Sequence, residues 1–105
     1  MRRITEQMIR ERDKWLGIVS ELTDIDQRQI MGKSRVDDVV MARHLLSWVL
    51  HSLRGYSYPM LGMMLGRSHA SCVHSNNVIE NEHHTDEMQR TINTLKAYNN
   101  EAKIY

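Results

Sequence analysis

A run of polar side chains between Arg67 and Ser75 holds the residues of this chain best suited to chemistry. Its letters are RSHASCVHS, with three serine hydroxyls, two histidine imidazoles and the only thiol of the chain, that of Cys72. Serine with histidine can catalyse group transfer, imidazole and thiolate can bind zinc, and hydroxyl, imidazole and guanidinium groups can bind DNA. The spacing of these groups distinguishes among the three kinds of site.

A catalytic site would need a nucleophile, a base and a group that orients the base. Two serine–histidine neighbours are present, Ser68 with His69 and Ser71 with His74, but no carboxylate stands near either pair in the local sequence. The polar run is therefore not predicted to be the active site of an enzyme.

A metal site is not predicted either, because the candidate ligands are poorly spaced. His69 and His74 lie five positions apart on a predicted helix from which Cys72 points inward, and His83 and His84 only follow at its end. The chain has no C-x-x-C and no H-E-x-x-H pattern, the spacings that bring such ligands together. We expect no metal and no other cofactor.

The helix predicted over residues 68–82 has an inner and an outer side. Cys72 and Ile79 share the inner side with Val73 adjacent to it, whereas Val78 falls among the outer positions. The outer face near the N-terminus is small, polar and uncharged, and an arginine precedes it. Such a face suits the base edges in a DNA major groove.

The remaining elements are also predicted to be helices, because apolar residues recur at helical spacing and strand-type alternation is scarce. We predict helices over about residues 4–22, 26–32, 37–54, 57–66, 68–82 and 85–103. Gly66 makes a turn between the fourth and the fifth of them, so residues 57–79 have the pattern of a helix-turn-helix. The expected fold class is all-α, a compact bundle of about six helices.

Length, composition and the single cysteine indicate one intracellular globular domain. The 105 residues are 41% hydrophobic and 26% charged, which fits a single domain spanning residues 1–105. One cysteine excludes an internal disulfide, and no apolar run reaches the roughly 18 residues that cross a bilayer. We expect a cytoplasmic protein with no membrane partner.

Charge is unevenly distributed, although the formal net charge is only +1. Residues 27–67 contain six Lys or Arg and two Asp, while the segments before and after them are slightly acidic. A basic segment directly before a polar helix is the electrostatic pattern of a nucleic-acid-binding surface.

Three motifs occur in the order of a known DNA-binding family. GRSHASCVHS is similar to the family pattern G-R-D-H-[STA]-T-V-x-H-A, and the preceding SYPMLGMMLG is similar to S-x-x-[ED]-I-G-x-x-[FL]-G. Further upstream, KSRVDDVVMARHLLSWVL is similar to the basic loop and following helix of the same family. Over about residues 5–100 the chain thus resembles the DNA-binding domain of the bacterial replication initiator DnaA, which has a Trp-repressor-like helix-turn-helix.

The resemblance implies a role for each basic residue of the central segment. Arg35 matches the arginine that the family inserts into the minor groove, and Lys33 lies nearby, where it would contact phosphates. Arg43 matches an arginine that contacts the DNA backbone.

The resemblance also implies roles in the polar run. Arg67 and His69 match the family's arginine and first histidine, which contact base edges or phosphate. Ala70 and Ser71 match a pair of residues that lies against a thymine methyl group. His74 matches the second histidine of the pattern. The expected DNA-binding residues are Lys33, Arg35, Arg43, Arg67, Ser68, His69, Ala70, Ser71 and His74.

Two departures from the family pattern concern base recognition. Ser68 replaces an Asp that accepts a hydrogen bond from cytosine, and Ser71 with Cys72 replaces the pair T-V. Discrimination should weaken at the base that the Asp contacts, since a serine hydroxyl can both donate and accept. The chain also has no phosphate-binding loop, so we expect no ATP.

These features predict sequence-specific binding of double-stranded DNA at an origin-like or regulatory site. The process would be replication initiation or its regulation, and a phage- or plasmid-type factor is one form that it could take. The alternative is a protein-interaction module of the same fold, which docks to a replication protein and binds DNA weakly or without sequence preference.

Overall fold

Six α-helices make up the fold. The computed structural model describes residues 4–103, with side chains through residue 101, and contains no strand in that part of the chain. The helices are α1 (Glu6–Thr23), α2 (Gln27–Met31), α3 (Asp37–Trp48), α4 (Tyr58–Leu65), α5 (His69–Asn81) and α6 (Asp86–Lys103). The predicted all-α bundle of about six helices is confirmed. None of these helices is long and apolar enough to cross a membrane.

Most of the helices begin at a capping residue. Its side chain accepts a hydrogen bond from one of the backbone N–H groups in the first turn, which have no partner within the helix. Thr5 forms a capping box with Met8 at the start of α1. Asp26 accepts from the backbone N–H of Arg28 at the start of α2, and Ser57 accepts from that of Met60 at the start of α4. At α6, Thr85 Oγ1 accepts from the N–H of Met88 over 3.1 Å.

The predicted long helix over residues 37–54 changes its winding near its end. α3 continues without a break into a π-helix, Val49–Leu53, in which the N–H of Arg54 donates to the carbonyl of Val49 over 3.0 Å. This wider turn was not predicted, because apolar spacing does not distinguish a π turn from an α turn over so few residues. The side chains of Val49 and Leu50 are both buried by it.

α3 is the central element of the bundle and packs against α1, α2 and α5. Its apolar side is fully enclosed and meets buried residues from most of the other helices. The largest of the fully buried side chains in this core are Trp15, Ile30, Leu45, Leu46, Leu50, Leu61, Met64 and Leu95, and Trp48 adds a second tryptophan that is 2% exposed.

Arg54, just after the π-helix, joins the first and last helices of the bundle. Its Nε donates to Glu11 of α1, and its Nη1 donates to Oδ1 of Asn99 in α6 over 2.9 Å. Asn99 is only 3% exposed, so its amide oxygen depends on this donor. The guanidinium also lies 5.8 Å from the ring centre of Trp15.

We predict that Arg54→Leu lowers the free energy of unfolding by about 2–3 kcal/mol, because a partly buried carboxylate and a buried amide lose their donor. Urea denaturation would measure the change. Arg10→Leu is the matched control, since the Glu6–Arg10 pair is 75% and 80% exposed and should contribute no more than about 0.5 kcal/mol. Equal effects of the two substitutions would contradict this role of Arg54.

Candidate nucleic-acid interface

α4, a short turn and α5 form the predicted helix-turn-helix. α4 ends at Gly66, whose φ of 64° lies in the left-handed region that favours glycine. Ser68 then caps α5, as its Oγ accepts from the N–H of Ser71 over 3.2 Å and donates to Ser71 Oγ over 3.0 Å.

Gly62 allows the turn to fold back closely on α4. A Cβ atom at Gly62 would lie 2.7 Å from the carbonyl oxygen of Arg67, which real Cβ contacts essentially never show. The N–H of Arg67 in turn donates to the carbonyl of Gly62 over 3.0 Å. The angle between α4 and α5 therefore depends on the absence of a side chain at residue 62.

The exposed face of α5 presents most of the predicted recognition residues. Its exposed side chains near the N-terminus are His69, Ala70, Ser71, Val73 and His74. Two predictions about this helix are wrong. Val73, predicted to lie beside the inner side, is 37% exposed, and Val78, predicted among the outer positions, is only 5% exposed. The buried side of α5 is centred on Cys72, Ser75 and Ile79. Because successive residues are 100° apart around a helix, position 78 lies closer to the centre of that side than position 73 does.

Arg43 holds the loop between α2 and α3 from inside. Its guanidinium donates to the carbonyls of Ile30, Ser34 and Gln29 over 2.9, 2.9 and 3.0 Å, and only 7% of the residue is exposed. Burial lowers its pKa from the usual value, although an arginine remains charged. This burial argues against the predicted direct contact of Arg43 with the DNA backbone and gives the residue a positioning role.

Arg67 connects the same loop to the helix-turn-helix. Its Nη2 donates to the carbonyl of Gly32 over 3.1 Å, and the side chain is half-buried. Burial, followed by the nearby charge of Arg43, lowers its pKa from the usual value. Since Arg67 directly precedes α5, this bond places the loop beside the N-terminal end of the exposed face.

Lys33 and Arg35 are exposed in that loop. Neither takes part in a salt bridge or a side-chain hydrogen bond in the described part of the chain. The loop itself is shaped locally, because Ser34 Oγ accepts from the N–H of Val36 over 3.3 Å. Two exposed cations thus lie in the loop that Arg67 contacts at Gly32.

Side-chain bonds fix α5 against α3. His44 Nδ1 lies 2.7 Å from Ser75 Oγ, and Trp48 Nε1 donates to Glu80 over 2.8 Å. The ring of His44 also meets that of His74 edge-on, with 5.3 Å between the ring centres. The rotation of α5, and so the set of side chains that it exposes, is fixed by these contacts.

The structure offers no support for a metal or thiol chemistry at this surface. Among the described residues, no three His, Cys, Asp or Glu side chains are grouped so that they could hold a metal ion. The Cys72 side chain is buried, and burial raises the pKa of its thiol, which disfavours the reactive thiolate.

The fold and this surface define a domain in which α4 and α5 form a helix-turn-helix. The basic loop between α2 and α3 is connected to the start of α5 through Arg67. The sequence matches the model of the bacterial dnaA protein helix-turn-helix family over residues 13–79. The chain therefore belongs to the bacterial DnaA helix-turn-helix family, a family of DNA-binding domains rather than catalytic ones.

Curated relatives agree with this family. The chain is 33% identical over 81 residues to the chromosomal replication initiator protein DnaA of Limosilactobacillus reuteri, covering 75% of this chain and 18% of that protein. It is 31% identical over 68 residues to DnaA of Deinococcus radiodurans, covering 64% of this chain and 15% of the relative. It thus spans less than a fifth of the length of these relatives. No solved structure gives a significant match.

We predict that Gly62→Ala lowers the free energy of unfolding by about 1–3 kcal/mol, because the turn backbone must move away from the new methyl group. Chemical denaturation would measure the change. Gly17→Ala in α1 is the control, since a Cβ there meets only Gln27 Nε2, at 3.7 Å. That change should stabilise the protein by about 0.5–1 kcal/mol through helix propensity. A stabilising Gly62→Ala would show that the turn is not closely packed against α4.

Proposed function

We propose that this domain binds double-stranded DNA in a sequence-specific manner through α5 and the loop between α2 and α3. The observation that carries the proposal is the bond from Arg67 to the carbonyl of Gly32, because it joins the exposed cations of the loop to the exposed face of α5. A surface of this kind can contact phosphates and base edges at the same time.

The loop would supply most of the affinity. Lys33 and Arg35 are exposed and free of protein partners, so they can replace the counterions of DNA phosphates, and Arg35 would enter the adjacent minor groove. Arg43 would act indirectly, by holding the loop in place from the protein side.

The exposed face of α5 would lie in the major groove and supply the sequence preference. His69 can donate to or accept from base edges, while Ala70 and Val73 can lie against thymine methyl groups. Arg67 can reach a base or a phosphate with the guanidinium nitrogens that do not contact Gly32.

The biological role that fits this activity is replication initiation or its regulation. A phage- or plasmid-type replication factor is one kind of protein that would have this role. The DNA would be an origin-like or regulatory site, and binding to it would place the domain in the cytoplasm. The proposal requires neither ATP nor catalysis from this domain.

A groove away from the exposed N-terminal face of α5 favours docking to a replication protein as a second candidate function, and His83 and His84, just after α5, are among its lining residues. It encloses about 600 Å³ between the end of α1, the start of α3 and the start of α6. Half-buried apolar residues and carboxylates line it, among them Leu22, Ile25, Met41, Met88, Asp24, Asp37, Asp38 and Glu87. Charge complementarity points to a cationic amphipathic segment as its occupant.

Selection from a randomised duplex library tests the proposed function directly. We expect the intact protein to enrich a defined motif and to bind it with strong salt dependence. Salt-sensitive binding without an enriched motif would contradict sequence-specific recognition and favour the docking function instead.

We further predict that Arg35→Ala weakens binding to the selected duplex by about 1–2 kcal/mol at low salt, because one desolvated phosphate or minor-groove contact is lost. Fluorescence anisotropy would measure the affinity. Arg90→Ala removes the same charge from an exposed position on α6 and should leave the affinity nearly unchanged. Equal losses in both variants would mean that only overall charge matters.

A further inference from the structure

Two histidines and a serine meet where α3 crosses α5. Half-buried His44 of α3 lies against α5, with its Nδ1 2.7 Å from the Oγ of buried Ser75. On its other side, its ring meets the ring of exposed His74 edge-on, with 5.3 Å between centres and 79° between planes. The contact thus links half-buried His44 to a side chain on the surface of α5.

The charges around His44 are mostly positive. Arg43 on the same helix, Arg67 in the turn and His74 on α5 all oppose its protonation, and Glu82 at the end of α5 is the one group that favours it. Burial is the largest effect, and together with these charges it lowers the pKa of His44 from its usual value near 6.5. In the free protein the positive groups around His44 thus outnumber its one nearby carboxylate, that of Glu82.

We propose that the His44–His74 pair forms a proton-linked contact with a backbone phosphate of bound DNA. The phosphate would approach exposed His74, and the pair would take up one proton from solvent as the complex forms. This inference rests on the proposed DNA binding and adds to it a dependence on pH. A phosphate is the expected ligand because its negative charge offsets the positive charges of Arg43 and Arg67 near His44.

Linkage fixes the direction of the effect. If the complex holds more protons than the separate molecules, affinity rises as pH falls, by up to about tenfold per pH unit for one proton. The folding stability of the free protein changes in the opposite direction and decreases as pH falls. Because the folded-state pKa of His44 is lowered, its contribution to stability is present above about pH 6.5 and is lost as pH falls toward the folded value.

The test compares binding of a fluorescein-labelled duplex by wild type and His44→Gln between about pH 6 and about pH 8, the range in which imidazole titrates. Glutamine can keep a hydrogen bond with Ser75 but cannot take up a proton. We expect the wild-type affinity to rise as pH falls and the variant to lose most of that rise. Circular dichroism at each pH verifies that both proteins are folded.

His83→Gln is the matched control, because His83 is exposed at the far end of α5, outside the proposed interface, and should leave the pH dependence unchanged. Imidazole chemical shifts in NMR titrations supply a second measurement, and the pKa of the pair should be higher in the complex than in the free protein. An unchanged pKa, or an equal pH dependence in wild type and His44→Gln, would overturn the inference. Failure to bind DNA at any pH would instead overturn the proposed function.

Discussion

The buried guanidinium of Arg43 is the constraint on which the candidate interface depends. α2 has only five residues, and of its last carbonyls that of Gln29 accepts from the N–H of the cap residue Gly32 over 3.2 Å and can accept a second hydrogen bond. Arg43 reaches back from α3 to take the carbonyls of Gln29 and Ile30 and adds that of Ser34 in the loop. A buried cation needs such partners, and free carbonyls at a helix end need such a donor. One side chain thus fixes the end of α2 and the path of the basic loop together.

The second half of the interface is fixed by close backbone packing. Gly62 lets the turn lie directly on α4, and Arg67, leaving that turn, reaches the carbonyl of Gly32. The helix-turn-helix and the basic loop are therefore not independent surfaces. A change at either Gly62 or Arg67 would alter the position of α5 relative to the loop. A Cβ at Gly62 would also lie 3.6 Å from the ring of exposed His69.

How far sequence predicts this structure depends on whether the interactions are local. Helix starts at Asp26, Ser57 and Thr85 were predictable, because each cap contacts a backbone N–H two or three residues away. The role of Arg43 was not, since its partners lie nine to fourteen residues away across a loop whose path the sequence does not give. The exposure of Val73 was missed because the helical phase of α5 is set by its packing on α3.

The exposed face of α5 also limits what the proposed DNA contact can recognise. Ser68 Oγ accepts from the N–H of Ser71 as the helix cap and donates its proton to Ser71 Oγ, so it cannot donate to a base without losing that bond, whereas Ser71 keeps its own hydroxyl proton as a donor. Ala70 and Val73, by contrast, are exposed and carry only methyl groups. A face with exposed methyl groups and no carboxylate acceptor would recognise thymine methyl groups more readily than a cytosine amino group. The replacement of the family's Asp by Ser68 points in the same direction, because it removes the carboxylate acceptor from this face.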